Sequence, residues 1–355
     1  MSHPLDGRSF VTRVDPKGML RLTEDFPVQC RRALEIARAA ELPKLGTSPS
    51  LVLLTGLGGS AAGGDFARAL FEAHGTAPFL VNRDYHVPSF VGLGDLVFAA
   101  SYSGNTEETL SAYKQARKAG ARIICVTSGG TLGELAREDG NAVIRIPGGQ
   151  PPRTALGYML IPVLVVAERL KLIPPQDYDS AFALLEKIQA QWTVEAPFER
   201  NPAKQLAQAL HGKVAVLYGL GTWQGVVASR WRGQINENSK NLAFPNQFPE
   251  LCHNEVLGWV GAGTQGVSSW VAVILEDGSE SGKMKARAAF TERLLGSLAE
   301  FHHVRAEGST LLEKMLSLTF FGDFVSIYLA ALNEVDPEDM TWLIQMKEQL
   351  AGVRG

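Results

Sequence analysis

The sequence predicts an α/β protein built from two similar, doubly wound parallel sheets, with extra helices at the C-terminal end. Three observations carry this expectation. From about residue 50 onward, strand-like apolar runs alternate with segments of helical spacing. The runs are continuously apolar rather than alternating, as in parallel sheets covered on both faces. The pattern also restarts near residue 213, where "KVAVLYGLG" resembles "LVLLTGLG" and Gly219 follows Gly56 by 163 positions. That offset is far too long for a solenoid repeat and suits two similar α/β domains.

In chain order, "LVLLTGLG" is a strand ending in glycines, and "SAAGGDFARALFEAHG" follows with helical spacing. "PFLVNRDY", "DLVFAAS" and "ARIICVTS" are the next strands, with "NTEETLSAYKQARKAG" and "GELARED" as helices, and "AVIRIP" closes the series. After the restart, "TWQGVVASRWRGQINENSK" is a helix, and "VSSWVAVILED" and "HHVRAEG" are strands on either side of the helix "KMKARAAFTERLLGSLAE". The charged, Pro-punctuated helical stretch between the two series is the natural connector. The expected organisation is therefore 1–175 as the first domain with an N-terminal extension, 176–212 as the connector, and 213–355 as the second domain. Its C-terminal helices are "STLLEKMLSLTFFGDFVSIYLAALN" and "DPEDMTWLIQMKEQL". Residues before 50 and the insertion at 277–310 carry no motif with a readable role.

Composition narrows the class. An apolar share of 45% over 355 residues supports a sizeable core. The net charge of -3 gives no basic excess, which argues against a nucleic-acid partner. Cys30, Cys125 and Cys252 share no metal-ligand spacing and form no even framework, as expected in a reducing compartment. The stretch "MSHPLDGRSFVTRVD" lacks the apolar core of a signal peptide. "TALGYMLIPVLVVA" is uncharged from Thr154 to Ala167, but a spanning helix needs about 20 apolar residues, so a buried helix is expected. These features describe a soluble cytoplasmic protein with no membrane partner.

The glycine turns admit two readings. "TGLGGSAAGGD" places Gly56, Gly58 and Ala61 in G-x-G-x-x-A register after a strand, a loose dinucleotide fingerprint, and Asp84 is a candidate ribose ligand. The second copy, with Gly219, Gly221 and Gln224, breaks that fingerprint. Any turn that leads into a helix N-terminus also attracts anions through its free amides and the helix dipole. The plain alternative is a turn that only needs glycine's freedom.

"SYSGNTEET" favours a phosphorylated sugar over a dinucleotide. Ser101, Ser103 and Thr106 supply hydroxyls beside Gly104 and a new helix start, enough donors to wrap one phosphate dianion. Helix capping by Asn105 or Thr106, with Glu107 and Glu108 in the first turn, accounts for part of the set. It leaves Ser101 and Ser103 without a role.

The densest polar run is "RGQINENSKNLAFPNQFPELCHNEVLGW". Glu237 lies late in one helix and His253 follows a Pro-rich loop. A carboxylate and an imidazole are what proton transfer near neutral pH requires. The plain readings are a solvated glutamate beside Lys240 and a structural histidine. Arg153, in "GGQPPRTALG", either stabilises a developing oxyanion or is a surface charge.

Together these segments resemble the sugar-isomerase (SIS) phosphosugar-binding fold, which is flavodoxin-like. In particular they resemble the bifunctional phosphoglucose/phosphomannose isomerases of archaea and some bacteria. The carrying motifs are "GLGGSAAGGD", "SYSGNTEET", "PPR", "INENSK", "HNE", "GDFVSIYLA" followed by "VDP", and a lysine in the last helix, from about residue 50 to 350. The resemblance implies that Gly58, Gly59, Ser60, Ser101, Ser103 and Thr106 hold the sugar phosphate. It implies Glu237 as the base moving a proton between carbons 2 and 1, and Arg153 as the enediolate's counter-charge. His253, supplied across a homodimer interface, would open the ring, assisted by Lys347. An aldose–ketose interconversion of this kind needs no metal and no organic cofactor.

Two departures stand out. Ser239 replaces the alanine more usual after "INEN". A threonine linked in the family to acceptance of either carbon-2 epimer corresponds most simply to Met340, with Thr341 beside it, which leaves mannose 6-phosphate open. The expected reaction is interconversion of glucose 6-phosphate and fructose 6-phosphate, with mannose 6-phosphate as a further candidate. A non-catalytic phosphosugar sensor and an NAD-dependent oxidoreductase are the alternatives.

Overall fold

A computed structural model describes residues 3–42, 47–265 and 269–351. By internal contact the chain divides into two units. One comprises Glu24–Lys187 and Ala306–Ser317; the other comprises Met1–Thr23, Ile188–Arg305 and Leu318–Gly355.

The first unit holds a five-stranded sheet of β1 (Val52–Thr55), β2 (Phe79–Asn82), β3 (Leu96–Ala100), β4 (Arg122–Thr127) and β5 (Ala142–Arg145), in the order β2-β1-β3-β4-β5. Every pairing is parallel. This is the flavodoxin-like order, in which ligands bind beyond the carboxyl ends of the strands. β1 and β3 are buried at every position, because helices cover both faces. Residues of alternate sense point to opposite sides. Leu53, Val97, Ala99 and Cys125 join one core cluster with Tyr113, Ala116, Leu132 and Ala136 of the helices Glu107–Lys118 and Gly130–Glu138. Leu54 points the other way, where its side chain lies against Gly64 of the helix Gly58–His74.

The uncharged stretch is indeed a buried helix, Leu156–Arg169, buried from Leu156 to Ala167. It packs on the helices Gly58–His74 and Phe26–Ala39. The last of these comes from the N-terminal region that had no readable motif.

The second unit repeats the plan with β6 (Val214–Gly219), β7 (Ala243–Gln247), β8 (Trp270–Glu276) and β9 (Ala299–Arg305), ordered β7-β6-β8-β9 and all parallel. Val267 and Ser268, at the head of the run expected to form β8, lie outside the described residues. β7 falls inside the polar run and was not anticipated. It is an edge strand, which is where Pro245 can sit without costing a ladder hydrogen bond.

The helix Leu311–Leu332 is long and apolar enough to cross a membrane by length and composition, but 94% of its apolar window is buried inside the protein. It starts with a capping box. Thr310 Oγ1 accepts from Glu313 N at 3.2 Å, and Glu313 Oε2 accepts from Thr310 N at 2.9 Å and Ser309 N at 2.7 Å. The other carboxylate oxygen accepts from Ser180 Oγ at 2.6 Å, on the helix Tyr178–Gln189. Burial works to raise the Glu313 pKa, but the hydroxyl and amide donors around it outweigh that effect and hold the carboxyl at about 2.

A carboxyl depressed in the folded state stabilises the fold above its ordinary pKa and loses that contribution as pH falls. Wild-type thermal stability should therefore decline between about pH 4.5 and 2. Glu313→Gln is expected to cost about 2 kcal/mol at neutral pH and to flatten that decline, as read by calorimetry across the range.

Candidate active site

In the five-stranded unit, the strand ends gather three loops. The first is the glycine turn after β1, the second is "SYSGNT" after β3, and the third is the Pro152–Thr154 turn that carries Arg153. Gly59 lies so close to the third loop that a Cβ there would collide with Pro152 O. Ser60, buried in the first turn of its helix, accepts from Tyr102 N at 3.1 Å. Tyr102 in turn accepts at its hydroxyl from Gln150 N at 3.2 Å. The structure thus brings Gly58, Gly59, Ser60, Ser101, Ser103, Thr106 and Arg153 into one neighbourhood.

The hydroxyl loop has a defined internal wiring. Ser101 Oγ accepts from Gly104 N at 3.1 Å and lies 2.9 Å from Thr106 Oγ1. Ser103 Oγ accepts from Asn105 N at 3.2 Å. Thr106 occupies the N-cap position of the helix Glu107–Lys118, yet its side chain makes no capping hydrogen bond. Asn105 does not cap this helix either: its Oδ1 accepts from Thr131 N and Oγ1 at 3.0 and 3.1 Å. The capping reading therefore does not account for the hydroxyls. In the simplest arrangement Ser101 donates to Thr106, which leaves the protons of Thr106 and Ser103 for an acceptor from outside. The first amides of the helix have no partner within it and add to that donor set. Gly104 allows the loop its path, since its φ is +73° and a Cβ would strike Gly129 O.

Arg153 is 4% exposed, and its turn is held from the N-terminal region. Gln29 Nε2 donates to Thr154 O at 2.8 Å, and Gln29 Oε1 accepts from Gly157 N at 2.8 Å. Sequence reading missed Gln29, because a glutamine on a helix 125 residues from its partner leaves no local signal.

The other unit carries Glu237, His253 and Lys347 on three separate elements. Glu237 is half-buried in the last turn of the helix Thr222–Ser239. Its neighbours in "INENSK" are all committed to structure. Asn236 Oδ1 accepts from Ala243 N at 2.9 Å, and Asn238 Nδ2 donates to Ser326 Oγ at 2.9 Å. Ser239 Oγ donates to Ser326 O at 2.7 Å, a bond that alanine could not make. Lys240, left-handed at φ 50°, donates to Glu237 O at 2.9 Å and Asp336 O at 2.6 Å.

The rest of this helix is pinned by the "GDFVSIYLA" segment. Arg230 pairs with Asp323 at 3.2 Å, and Gln234 Nε2 donates to Asp323 Oδ1 at 2.8 Å. Trp231 Nε1 donates to Leu318 O at 2.9 Å, and its indole lies where a Cβ on Gly322 would fall. Burial pushes the Asp323 carboxyl up from its ordinary value, against the lowering effect of Arg230 and Gln234. Gly322, Asp323 and Ser326 thus fix the helix that carries Glu237, which the sequence does not display.

In "HNE", the latter two residues are structural. Asn254 Oδ1 accepts from Glu255 N at 2.6 Å, and the Glu255 carboxylate accepts from Asn246 Nδ2 at 2.5 Å and from the Tyr218 hydroxyl. His253 itself is exposed at the end of the short helix Glu250–His253. Lys347 is exposed on the helix Thr341–Ala351, as is every side chain from 341 to 350. Thr341 Oγ1 donates to Asp339 Oδ1 at 2.5 Å, which ties that hydroxyl to the helix start.

The repeated glycine turns are not equivalent. At the second, the Gln224 side chain occupies the space beside Gly221 and donates to Glu280 Oε1 at 3.3 Å. Asp84 stands just past β2, beside the first turn, but its carboxylate accepts from His86 N at 3.3 Å within its own loop.

A parallel sheet with such hydroxyl loops at its strand ends, accompanied by a second sheet of the same plan, defines an α/β protein of the SIS class. Residues 48–165 match the family model described as SIS domain, and residues 199–350 match bacterial phospho-glucose isomerase C-terminal SIS domain. A relative from Caldicellulosiruptor bescii, a bifunctional phosphoglucose/phosphomannose isomerase, is 38% identical over 95% of this chain and 100% of its own length. One from Thermoplasma acidophilum with the same name is 34% identical over 85% of this chain and 90% of its own. A hypothetical protein from Thermus thermophilus, of solved structure, shares the fold with a TM-score of 0.72 at 18% identity, covering 98% of this chain and 94% of its own. The chain belongs to the bifunctional phosphoglucose/phosphomannose isomerase family, and so to the isomerases. The oxidoreductase and sensor alternatives are not favoured by these relatives.

Asp323→Ala strands Arg230 in the interior and should cost about 3–5 kcal/mol of unfolding free energy in urea titrations. Gly104→Ala forces a side chain into a left-handed, crowded position and should cost about 1–3 kcal/mol.

Proposed function

We propose that this protein interconverts glucose 6-phosphate and fructose 6-phosphate, and also forms mannose 6-phosphate, by proton transfer through an enediolate. The observation that carries this reading is the match, over 95% of the chain, to a relative named for both activities. The geometry supports it through the cluster of Ser60, Ser101, Ser103 and Thr106 with the Arg153 turn. In this reading the hydroxyls and helix-start amides hold the phosphate, remote from the reacting carbons, so that binding energy positions the substrate.

Glu237 takes the proton from carbon 2 of the aldose phosphate and returns it to carbon 1. The Arg153 guanidinium offsets the negative charge that develops on the enediolate oxygens. His253 of the partner subunit protonates the ring oxygen as the hemiacetal opens, and Lys347 assists that step. The homodimer this requires is supported by exposed apolar side chains near His253, with Leu257 72% and Val260 68% exposed, and by Trp342 at 81% on the helix of Lys347. The expected location is the cytoplasm.

Glu237→Gln should lower turnover by about 10²–10⁴-fold while leaving binding of the sugar phosphate intact, as measured by calorimetric titration. Unchanged turnover would remove the assignment of the base. A coupled assay that starts from fructose 6-phosphate and follows both aldose phosphates tests the two activities separately. Appearance of the glucose ester alone would restrict the proposal to one epimer.

A further inference from the structure

Tyr102 stands inside the hydroxyl loop, "SYSGNT", yet it is only 6% exposed. Its polar groups each go to a different segment at the strand ends. The amide donates to Ser60 Oγ at 3.1 Å, on the glycine turn after β1. The carbonyl accepts from Ser128 N at 3.0 Å and from Ser128 Oγ at 2.7 Å, just past β4. The hydroxyl accepts from Gln150 N at 3.2 Å, three positions before Arg153. All of these residues lie in the same unit.

The segment held by that hydroxyl is of a kind that needs holding. "GGQPPR" opens with Gly148 and Gly149, and Gly149 sits at φ +93°, where other residues rarely go. Two prolines follow, each with φ fixed by its ring, so the freedom of the segment is concentrated at the glycine pair. Beyond that hinge the residues are tied to one another. Thr154 N and Oγ1 donate to Pro151 O at 2.9 and 2.8 Å, and Gln150 Nε2 donates to Thr154 Oγ1 at 3.0 Å. Gln29 fastens the far side through Thr154 O and Gly157 N. The Tyr102 hydroxyl fastens the near side, and it does so from within the phosphate loop. Burial raises the Tyr102 phenol above its ordinary value, against the lowering effect of the Gln150 amide, so the group is a neutral acceptor rather than an acid or base.

We propose that Tyr102 is a positioning residue for the isomerisation: its main chain shapes the phosphate site, and its hydroxyl sets where the Arg153 guanidinium stands relative to that site. The inference rests on the reaction proposed above and supplies the link between its two parts. A phosphate anchored at Ser60 and the hydroxyl loop fixes how far carbons 1 and 2 reach. The counter-charge must then lie at the enediolate oxygens, since a misplacement of about 1 Å can cost about 10²-fold in rate. A hinge of two glycines permits such a shift, and the bond from Gln150 N to Tyr102 opposes it. Because the enediolate charge develops only on the way to the transition state, loss of this bond falls on kcat rather than on substrate binding.

Tyr102→Phe separates the two roles, since it keeps the ring and both main-chain groups and removes the hydroxyl alone. Steady-state rates on fructose 6-phosphate would be measured for the wild type and the variant, with inorganic phosphate as a competitive inhibitor that reports on the phosphate site. The expected result is a kcat lower by about 10- to 100-fold. KM and the inhibition constant for phosphate should stay within about twofold of the wild type. In an Arg153→Ala background the same substitution should cost less than about twofold further, because a residue that acts through Arg153 has nothing left to position. A purely structural role would instead lower the melting temperature and raise KM, and its cost would persist without Arg153. If Tyr102→Phe does not fold, Gln150→Ala carries the test. It removes the bond to Thr154 Oγ1 but keeps the main-chain donor, and should show the same split with a smaller loss. Wild-type kcat in whichever variant folds, a loss carried by KM, or an undiminished loss in the Arg153→Ala background would each overturn the proposal. An unsubstituted protein inactive on fructose 6-phosphate would remove the reaction itself, and this inference with it, before any variant is compared.

Discussion

A parallel sheet with helices on both faces has no side on which to meet a polar molecule. Leu53, Val97 and Phe98 are at most 1% exposed, so any chemistry must be placed where the strands stop. This constraint organises the structure. The strand ends are also where helices begin, so unpaired amides and the positive ends of helix dipoles gather along the same rim. Ser60, Ser101 and Thr106 stand at that rim, just past the end of β3 and at the starts of the helices that follow β1 and β3.

Rigidity behind the rim comes from buried polar bonds. Hydrophobic contact alone would let the helix Thr222–Ser239 rotate or slide by part of a turn. The Arg230–Asp323 pair, the Trp231 indole bond and the two bonds to Ser326 each require one register. Each leaves an unsatisfied buried group if that register is lost, and such groups are expensive in a medium of low dielectric. Glu237 inherits its position from these bonds. Gln29 does the same for the Arg153 turn.

Most of the fold was legible in the sequence, since it rests on local patterns. Continuous apolar runs announced β1, β3, β4, β6 and β8, and glycines marked the turns after β1 and β6. The hydroxyl excess in "SYSGNT" was legible for the same reason: capping consumes few side chains and the loop has more. Edge strand β7 escaped because only one of its residues, Ala243, is buried, so it has no apolar pattern. The supporting residues escaped for a different reason. Gln29, Asp323 and Ser326 act on partners 87 or more positions away, and nothing in their immediate neighbourhood distinguishes them from ordinary helical polar residues.

The glutamine lodged beside Gly221 shows how far the two halves have parted from a common plan. One half keeps its glycine cradle open to visitors, while the other has corked its own with a side chain supplied three positions along. A corked cradle still has its shape. Shortening that one side chain would restore an empty niche at a helix start, in a half of the molecule built on the same sheet plan, where a designer could seat an anion of choice.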